Sequence, residues 1–526
     1  MNGSVPAGAP RIASLSELLG EVARRAEQAS GSDRPAIVDG ADLIGHDELV
    51  GAARRFAAGL AVAGVGAGDV VLVQLPNWWE VVAVLLGTWE RGAVACPVVS
   101  IYREHELDFI VAQIRPSVVV VPAEHRRCDH VAMLRGVAQR AGVDVTLVAV
   151  RSPVPAPVGC VTFDEFGGDA LPSAAVPADP NARAVVLYTS GTTSDPKGAI
   201  HSSATLLYES RSIGALARVG SGDAVYMPSP LTHITGLLYG AILPLDEGIP
   251  TVLAAQWDPA DAMATIEQHR CTFSVGATPF LRGLTDSYAA AGTTSNLAVY
   301  ICGGADVPPS LVRRARKVMG TRVARTYGST ELPTATMTDP YDDAAADAAA
   351  DTDGRPIGPV EVRIVDCTDG VGELHVRGPE LFRGYVDAAL DADSFTAGGF
   401  FRTGDLASID EAGHVTIRGR IKDVVNRGGE KFSAKDVEEV LVLHPDIDEV
   451  AVVGVPDPVM IERACAFIVL RKGAAPLAPS DLGAWLRERG LPIQKVPEHV
   501  RVVPALAKTA SGKVQKFLLR REFQPR

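Results

Sequence analysis

Short apolar runs recur along much of this chain, with helical patterns filling the gaps between them, and that alternation restricts the possible folds more than any other feature. Asp69–Leu75, Ser117–Val121, Val145–Val150, Ala184–Tyr188, Val299–Gly303 and Val323–Tyr327 are mostly rich in valine and mostly have Gly, Pro or Asp near one end, which predicts buried strands. Between them Trp78–Arg91 and Glu104–Arg115 repeat apolar residues at helical spacing. Alternating strands and helices imply an α/β fold. The tryptophans Trp78, Trp79 and Trp89 are read as packing residues.

A chain of 526 residues is too long for one ordinary core, so at least two domains are expected. The break is placed at Gly419-Arg420-Ile421-Lys422-Asp423, after which the pattern restarts with strands Glu449–Val455 and Ala464–Leu470 and helices Ser433–Leu443 and Pro479–Arg489. Residues 1–420 then form a large α/β domain and residues 421–526 a small one. Ser433 with Asp436 has the form of a capping box, and Pro445 ends the helix it starts. Asp339–Gly354, acidic and alanine-rich, is expected to be a solvated loop. There is no internal repeat.

The formal net charge of −13 disfavours nucleic acid and anionic membrane as partners, so a polyanionic ligand must be gripped by local donors. No apolar run is long enough to span a bilayer, and the N-terminus lacks the pattern of an export signal. The cysteines are 7 in number, scattered and without a CxxC pair, which argues for a reducing cytoplasm and against a zinc site.

Donors for a polyanion are concentrated in Tyr188–Gly198. Gly191 and Gly198 allow close backbone approach; Thr189, Ser190, Thr192 and Thr193 carry hydroxyls, and Lys197 carries charge. Converging N–H and O–H groups with a cation suit a triphosphate. The string is not GxxxxGK[ST], so a nucleotide-hydrolysing P-loop fold is not expected. A polar strand-to-helix turn has a similar composition; the full string ending Pro196-Lys197-Gly198 favours the phosphate reading.

This string resembles the phosphate loop of the adenylate-forming superfamily, which holds acyl- and aryl-CoA ligases, nonribosomal adenylation domains and beetle luciferase. Ser194 stands where that family usually has glycine. Further resemblances follow in family order. Thr326-Tyr327-Gly328-Ser329-Thr330-Glu331 is similar to the adenylate-binding motif, which implies that Tyr327 stacks on adenine, Thr330 meets the α-phosphate and Glu331 holds Mg2+. Gly303-Gly304-Ala305 resembles the segment between adenine and the acyl pocket. Thr403-Gly404-Asp405 resembles the motif whose carboxylate accepts both ribose hydroxyls, with Arg420 beside it, and Lys422 stands at the family's hinge. Lys513, in Lys508–Lys516, matches the adenylation lysine; Glu331 and Thr192 join it as candidate catalytic residues.

For the acid, Pro230–Gly236 resembles the segment bordering the acyl pocket, which puts His233, Ile234, Gly236 and Gly304 at that pocket. Ligases for hydroxylated aryl acids commonly have asparagine where this chain has Ile234, and an apolar neighbour leaves a ring hydroxyl unpaired. Small residues at Gly303, Gly304, Gly328 and Ser329 are expected to leave room for a ring or medium chain. Asn426–Lys431 resembles both stand-alone aryl-acid adenylating enzymes and medium-chain or alicyclic CoA ligases, and Gly428 and Gly429 there could admit a pantetheine thiol; a plain turn would use the same glycines. The resemblance implies an acid–thiol ligase using ATP, Mg2+ and coenzyme A. Alternatives are transfer to the phosphopantetheine arm of a carrier protein acting in trans, a luciferase-like oxidation, and a non-catalytic binding role.

Overall fold

The computed structural model describes residues 12–28, 34–152, 156–167, 176–177, 179–189, 196–342, 350–508 and 514–523. Two large sheets organise the part before residue 360. The first has nine strands in the order Arg355–Pro356, Thr336–Met337, Arg322–Tyr327, Val299–Cys302, Phe273–Gly276, Val225–Met227, Thr251–Leu253, Ile37–Asp39 and Asp42–Ile44. From Arg322–Tyr327 to Ile37–Asp39 they run parallel, with antiparallel strands at both edges. The second has seven strands, ordered Lys197–Ser202, Arg183–Thr189, Val94–Pro97, Val70–Val73, Val118–Pro122, Thr146–Val150 and Val161–Thr162. Only its Lys197–Ser202 ladder is antiparallel. Parallel strands covered on both faces must be apolar along their whole length, which is why Val118–Pro122 is buried at every residue.

Helix Trp79–Glu90 packs on strand Ile37–Asp39 of the first sheet and on Val70–Val73 and Val94–Pro97 of the second. Residues Glu80–Glu90 are all buried, as a helix apolar around its whole circumference requires. Gly87 faces the neighbouring helix His46–Val62 so closely that a Cβ would lie 2.7 Å from the Ala53 carbonyl oxygen. Glu80, buried in this setting, is paired with Arg151 at 2.8 Å, and Arg151 also reaches Asp39 and lies over the Trp78 ring.

A third, antiparallel sheet follows the order Glu361–Thr368, Val371–Arg377, Phe401–Ile409 and Val415–Arg420. After the 3-10 turn Ile421–Asp423 comes a five-stranded sheet: Glu430–Ser433, Val424–Arg427, Ile461–Leu470 and Ile447–Asp457 in order, with His499–Val502 parallel to Ile461–Leu470. Helices Ala434–Leu441 and Pro479–Glu488 share a buried apolar cluster with this sheet. No helix among the described residues is long and apolar enough to cross a membrane.

Two local expectations are corrected. Ser433 caps its helix, accepting from Lys435 N at 3.2 Å, but no capping box forms because Asp436 is taken by Lys495 Nζ at 2.6 Å. The acidic stretch is not wholly solvated. Ala350 and Asp353 are buried, and Asp353 accepts Arg325 at 2.6 Å and Ile417 N at 2.8 Å. Residues 343–349 of that stretch lie outside the described residues.

Candidate active site

The Tyr188–Gly198 segment connects two antiparallel strands, with Thr189 opposite Lys197, so it is a hairpin loop and not a strand-to-helix turn. The helix comes later, at Ser203–Leu216. Ser190, Gly191, Thr192, Thr193 and Ser194 lie outside the described residues. The flanks are closely set: Gly198 admits no side chain, since a Cβ would lie 2.9 Å from Val386 and 3.0 Å from the Tyr188 ring. Tyr188 donates its hydroxyl to Gln113 at 2.5 Å.

Strand Lys197–Ser202 also pairs outward with the segment around Tyr385: Arg383 N donates to Ile200 O at 2.8 Å, and Ile200 N to Gly384 O at 3.0 Å. Through this pairing Lys197 Nζ lies 5.1 Å from the centroid of the Tyr385 ring. The Tyr385 hydroxyl donates to Glu331 Oε1 at 2.8 Å, and Phe382 N donates to the Glu331 carbonyl at 2.8 Å. His201 holds the preceding residue, its Nε2–H donating to Thr330 O at 2.7 Å while Nδ1 lies 3.1 Å from the Thr205 hydroxyl. The carbonyl can only accept, which assigns the tautomer. Burial pushes the His201 imidazole down to about 4, so it is neutral. Neither Tyr385 nor His201 was singled out from the sequence; each lies outside a motif, and only strand pairing brings it to the Thr326–Glu331 turn.

Tyr327 ends a strand of the first sheet, and its hydroxyl donates to Asp405 Oδ2 at 2.6 Å. Arg420 Nε donates to the other oxygen, Oδ1, at 2.8 Å. The third sheet sets that pair by register, Asp405 facing Arg420 across an antiparallel ladder. Thr403 fixes the turn, accepting from Asp405 N at 3.0 Å and donating to Leu374 O at 2.7 Å. Burial and the Asp405 carboxylate push the Tyr327 phenol well above its usual range, keeping it a donor. Each Asp405 oxygen accepts one side-chain donor, Tyr327 or Arg420, and a carboxylate offers about four acceptor positions, so about two remain for other donors.

His233 caps the short helix Ile234–Gly236, its Nδ1 accepting from Thr235 N at 3.4 Å, and burial pushes its imidazole down to about 4. The chain continues as a π-helical turn, Leu237–Ile242, a rare geometry that recurs at functional sites. Ile234 is buried in the apolar core. Beneath this turn Tyr239 donates to Glu209, whose carboxyl burial raises to about 8, and the Tyr239 hydroxyl lies 3.2 Å from Thr334 Oγ1.

The space beside the small residues of this region differs from one position to the next. Gly304 has a φ of +77° and nothing within 4 Å of a Cβ position. A Cβ at Gly303 would lie 2.4 Å from Thr326 Cγ2, one at Gly328 1.9 Å from Pro333 O, and one at Gly236 2.0 Å from Pro230 O. Backbone already fills those positions. Ser329 is tied into its own turn, its N–H donating to Leu332 O at 2.8 Å.

Gly428 and Gly429, with φ of +62° and +100°, form the exposed turn between strands Val424–Arg427 and Glu430–Ser433. A two-residue hairpin of this hand needs positive φ, so the turn alone accounts for both glycines. Lys422 is exposed in the 3-10 turn, and its carbonyl accepts Arg520 at 3.0 Å. Lys513 lies outside the described residues.

The geometry suits a nucleotide and one hard cation. Glu331 is half-buried with one oxygen bonded to Tyr385, and among the described residues there is no group of three or more His, Cys, Asp or Glu that could form a cage. A single carboxylate fits Mg2+, which usually keeps water and substrate phosphates as its other ligands.

Known proteins resemble this chain along most of its length. A model of the AMP-binding enzyme family matches residues 22–386, and one of the AMP-binding enzyme C-terminal domain matches 436–513. The medium-chain fatty-acid–CoA ligase of Escherichia coli (strain K12) is 32% identical over 504 residues, covering 94% of this chain and 88% of that one. A salicylyl-CoA synthase/salicylate adenylyltransferase from a Streptomyces species is 31% identical over 93% of this chain and 90% of its own length. The crystal structure of ATP-bound MatB from Rhodopseudomonas palustris superposes with a TM-score of 0.83 at 28% identity, covering 97% and 98% of the two chains.

Proposed function

Since the chain belongs to the AMP-binding enzyme family, whose members include acid–CoA ligases, we propose that it joins a carboxylic acid to AMP and then transfers the acyl group to coenzyme A. The observation that carries the nucleotide half is the Tyr327–Asp405–Arg420 cluster, which unites two sheets and leaves about two acceptor positions on Asp405 for the two ribose hydroxyls.

In the first step a carboxylate oxygen attacks the α-phosphorus of ATP. The bond from that phosphorus to the bridging oxygen breaks, and pyrophosphate leaves with the electron pair. Thr189, Ser190, Gly191, Thr192, Thr193 and Lys197 surround the departing phosphates in this reading; Thr330 meets the α-phosphate and Gly303, Gly304 and Ala305 pass beside adenine and the acyl pocket. Glu331 would hold Mg2+, which supplies charge neutralisation to the phosphates when bound. Lys513 neutralises the crowded centre, a contribution whose loss typically costs roughly 10²–10³-fold in rate. In the second step the thiol sulfur attacks the acyl carbon, the bond to AMP oxygen breaks, and the thiol proton is released. Residues 421–526 act as the mobile unit, pivoting at Lys422, with Gly428 and Gly429 meeting the pantetheine arm.

Ile234, buried and apolar beside His233, supports an acid without a ring hydroxyl, either a medium chain or an unsubstituted ring. Delivery to a carrier protein is the second reading, and it rests on the likeness of Asn426–Lys431 to stand-alone aryl-acid adenylating enzymes. Free thiols at all seven cysteines support a cytoplasmic location. The test is pyrophosphate release with octanoate, cyclohexanecarboxylate and benzoate, with and without CoA, on wild type and Lys513→Ala. Acid-dependent release that Lys513→Ala abolishes is expected, with an acyl-CoA product; normal release in the variant removes Lys513 from the chemistry.

A further inference from the structure

Lys435 lies at the start of helix Ala434–Leu441, which follows the first two strands after the turn Ile421–Asp423. Its ammonium reaches back to Asp306 Oδ1 at 2.9 Å and to Ile417 O at 2.8 Å, with Glu439 at 3.6 Å and Asp353 as the other carboxylate close enough to act on it. Asp306 stands two residues after Gly304, at the edge of the candidate pocket, and Thr278 fixes its backbone by donating to Asp306 O at 2.7 Å. Ile417 is gripped from both sides, since its N–H donates to Asp353. Ser433 adds a further contact, donating to Arg418 O at 2.8 Å, and Gly419 passes so near that a Cβ would lie 2.3 Å from Ser433 Oγ. Three hydrogen bonds therefore converge on strand Val415–Arg420, two of them from beyond Ile421, and the strand's last residue holds Asp405. In this arrangement Gly428–Lys431 is exposed to solvent.

We propose that Lys435 and Asp306 form a latch that holds the segment after Ile421 in this arrangement, with the Gly428–Gly429 turn in solvent, and so sets the balance between the adenylation and thiol-transfer half-reactions. The idea rests on the acid–thiol ligase reading for its kinetic consequence, but not for its physical one. Neither residue touches the reacting atoms; both are positioning residues. Asp306 is half-exposed, so the pair is a weak lock, and opening it should move the balance by about three- to fivefold and not abolish either step.

The test compares wild type, Asp306→Asn, Lys435→Met and the conservative variant Lys435→Arg as full chains. Two properties are measured: X-ray scattering in solution, and the rate of thioester formation from supplied octanoyl-adenylate and CoA relative to octanoate-dependent pyrophosphate exchange. Asp306→Asn and Lys435→Met should broaden the scattering profile and raise that ratio about threefold or more, whereas Lys435→Arg, which keeps the charge and the donors, should stay near wild type in both. Unchanged scattering in Asp306→Asn and Lys435→Met, or an equal fall in the two half-reactions in all three variants, overturns the latch. If wild type lacks both half-reactions, the functional reading fails, and scattering alone still decides whether the latch exists.

Discussion

Tyr327 joins the first sheet to the third, since it ends a strand of the first and its hydroxyl donates to Asp405 of the third. A hydrogen bond to a charged group contributes about 1.5–3 kcal/mol. Tyr327→Phe should therefore raise the KM for ATP by about tenfold or more while leaving the KM for the acid unchanged; an equal rise in both would remove Tyr327 from the nucleotide side. Glu209 is fully buried. Its carboxyl titrates at about 8 in the fold because burial disfavours the charge, against about 4.3 when unfolded. The unfolded chain thus releases this proton first, and the stability that Glu209 contributes as a neutral acid is lost as pH rises toward 8. Its share of the loss between pH 6 and pH 8 is of order 2 kcal/mol. Glu209→Gln should flatten that decline in thermal midpoint; parallel curves for variant and wild type would show that Glu209 is not its source. His201 and His233 act at the opposite end: held neutral down to about 4, they contribute stability that is lost as pH falls below about 6.5.

Elements near the site are positioned by backbone closeness more than by side-chain choice. Gly236 and Gly328 each stand where a Cβ would meet a carbonyl oxygen, at 2.0 Å and 1.9 Å, whereas Gly304 has open space and only a positive φ to satisfy. Gly236→Ala and Gly328→Ala must displace a turn and should cost about 1–3 kcal/mol or more in urea unfolding. Gly304→Ala should cost only about 1 kcal/mol, and its effect should fall on the KM for the acid instead. Equal stability losses in all three would refute the distinction. The small size of these residues was plain from sequence, but whether the space beside each glycine is empty or occupied depends on a second segment folding against it. The same holds for Tyr188–Gly198. Its donors are legible residue by residue, while its geometry as a hairpin depends on Lys197–Ser202 pairing back onto Arg183–Thr189.

Across the whole molecule, Asp353 ties the first sheet to the third. It pairs with the buried Arg325 and accepts Ile417 N, and Thr336 donates to its carbonyl at 2.7 Å. Removing one member of a buried ion pair costs about 3–5 kcal/mol, because the remaining charge stays desolvated. Asp353→Ala should lower the unfolding free energy by that amount and loosen the Val415–Arg420 strand, seen as faster amide exchange at Ile417. Unaltered exchange there would show that Asp353 does not hold the third sheet. Composition hid this residue: in an acidic, alanine-rich stretch an aspartate looks solvated until its long-range partners are known.

Local chemistry is what the amino-acid order determined by itself. Runs of valine specify buried strands, and the strings around Lys197, Glu331, Asp405 and Lys513 specify a phosphate-handling enzyme, because hydroxyls, glycines and charges at such short spacing act within one segment. Tertiary structure alone decided which segments meet. Tyr327 bonds Asp405 from 78 positions away, Tyr385 reaches Glu331 from 54, His201 reaches Thr330 from 129, and Lys435 closes on Asp306 between sheets. The physical reason is that contacts at such separations carry no periodic trace in sequence: they arise where register and packing place two strand ends together, and either partner alone reads as an ordinary polar residue.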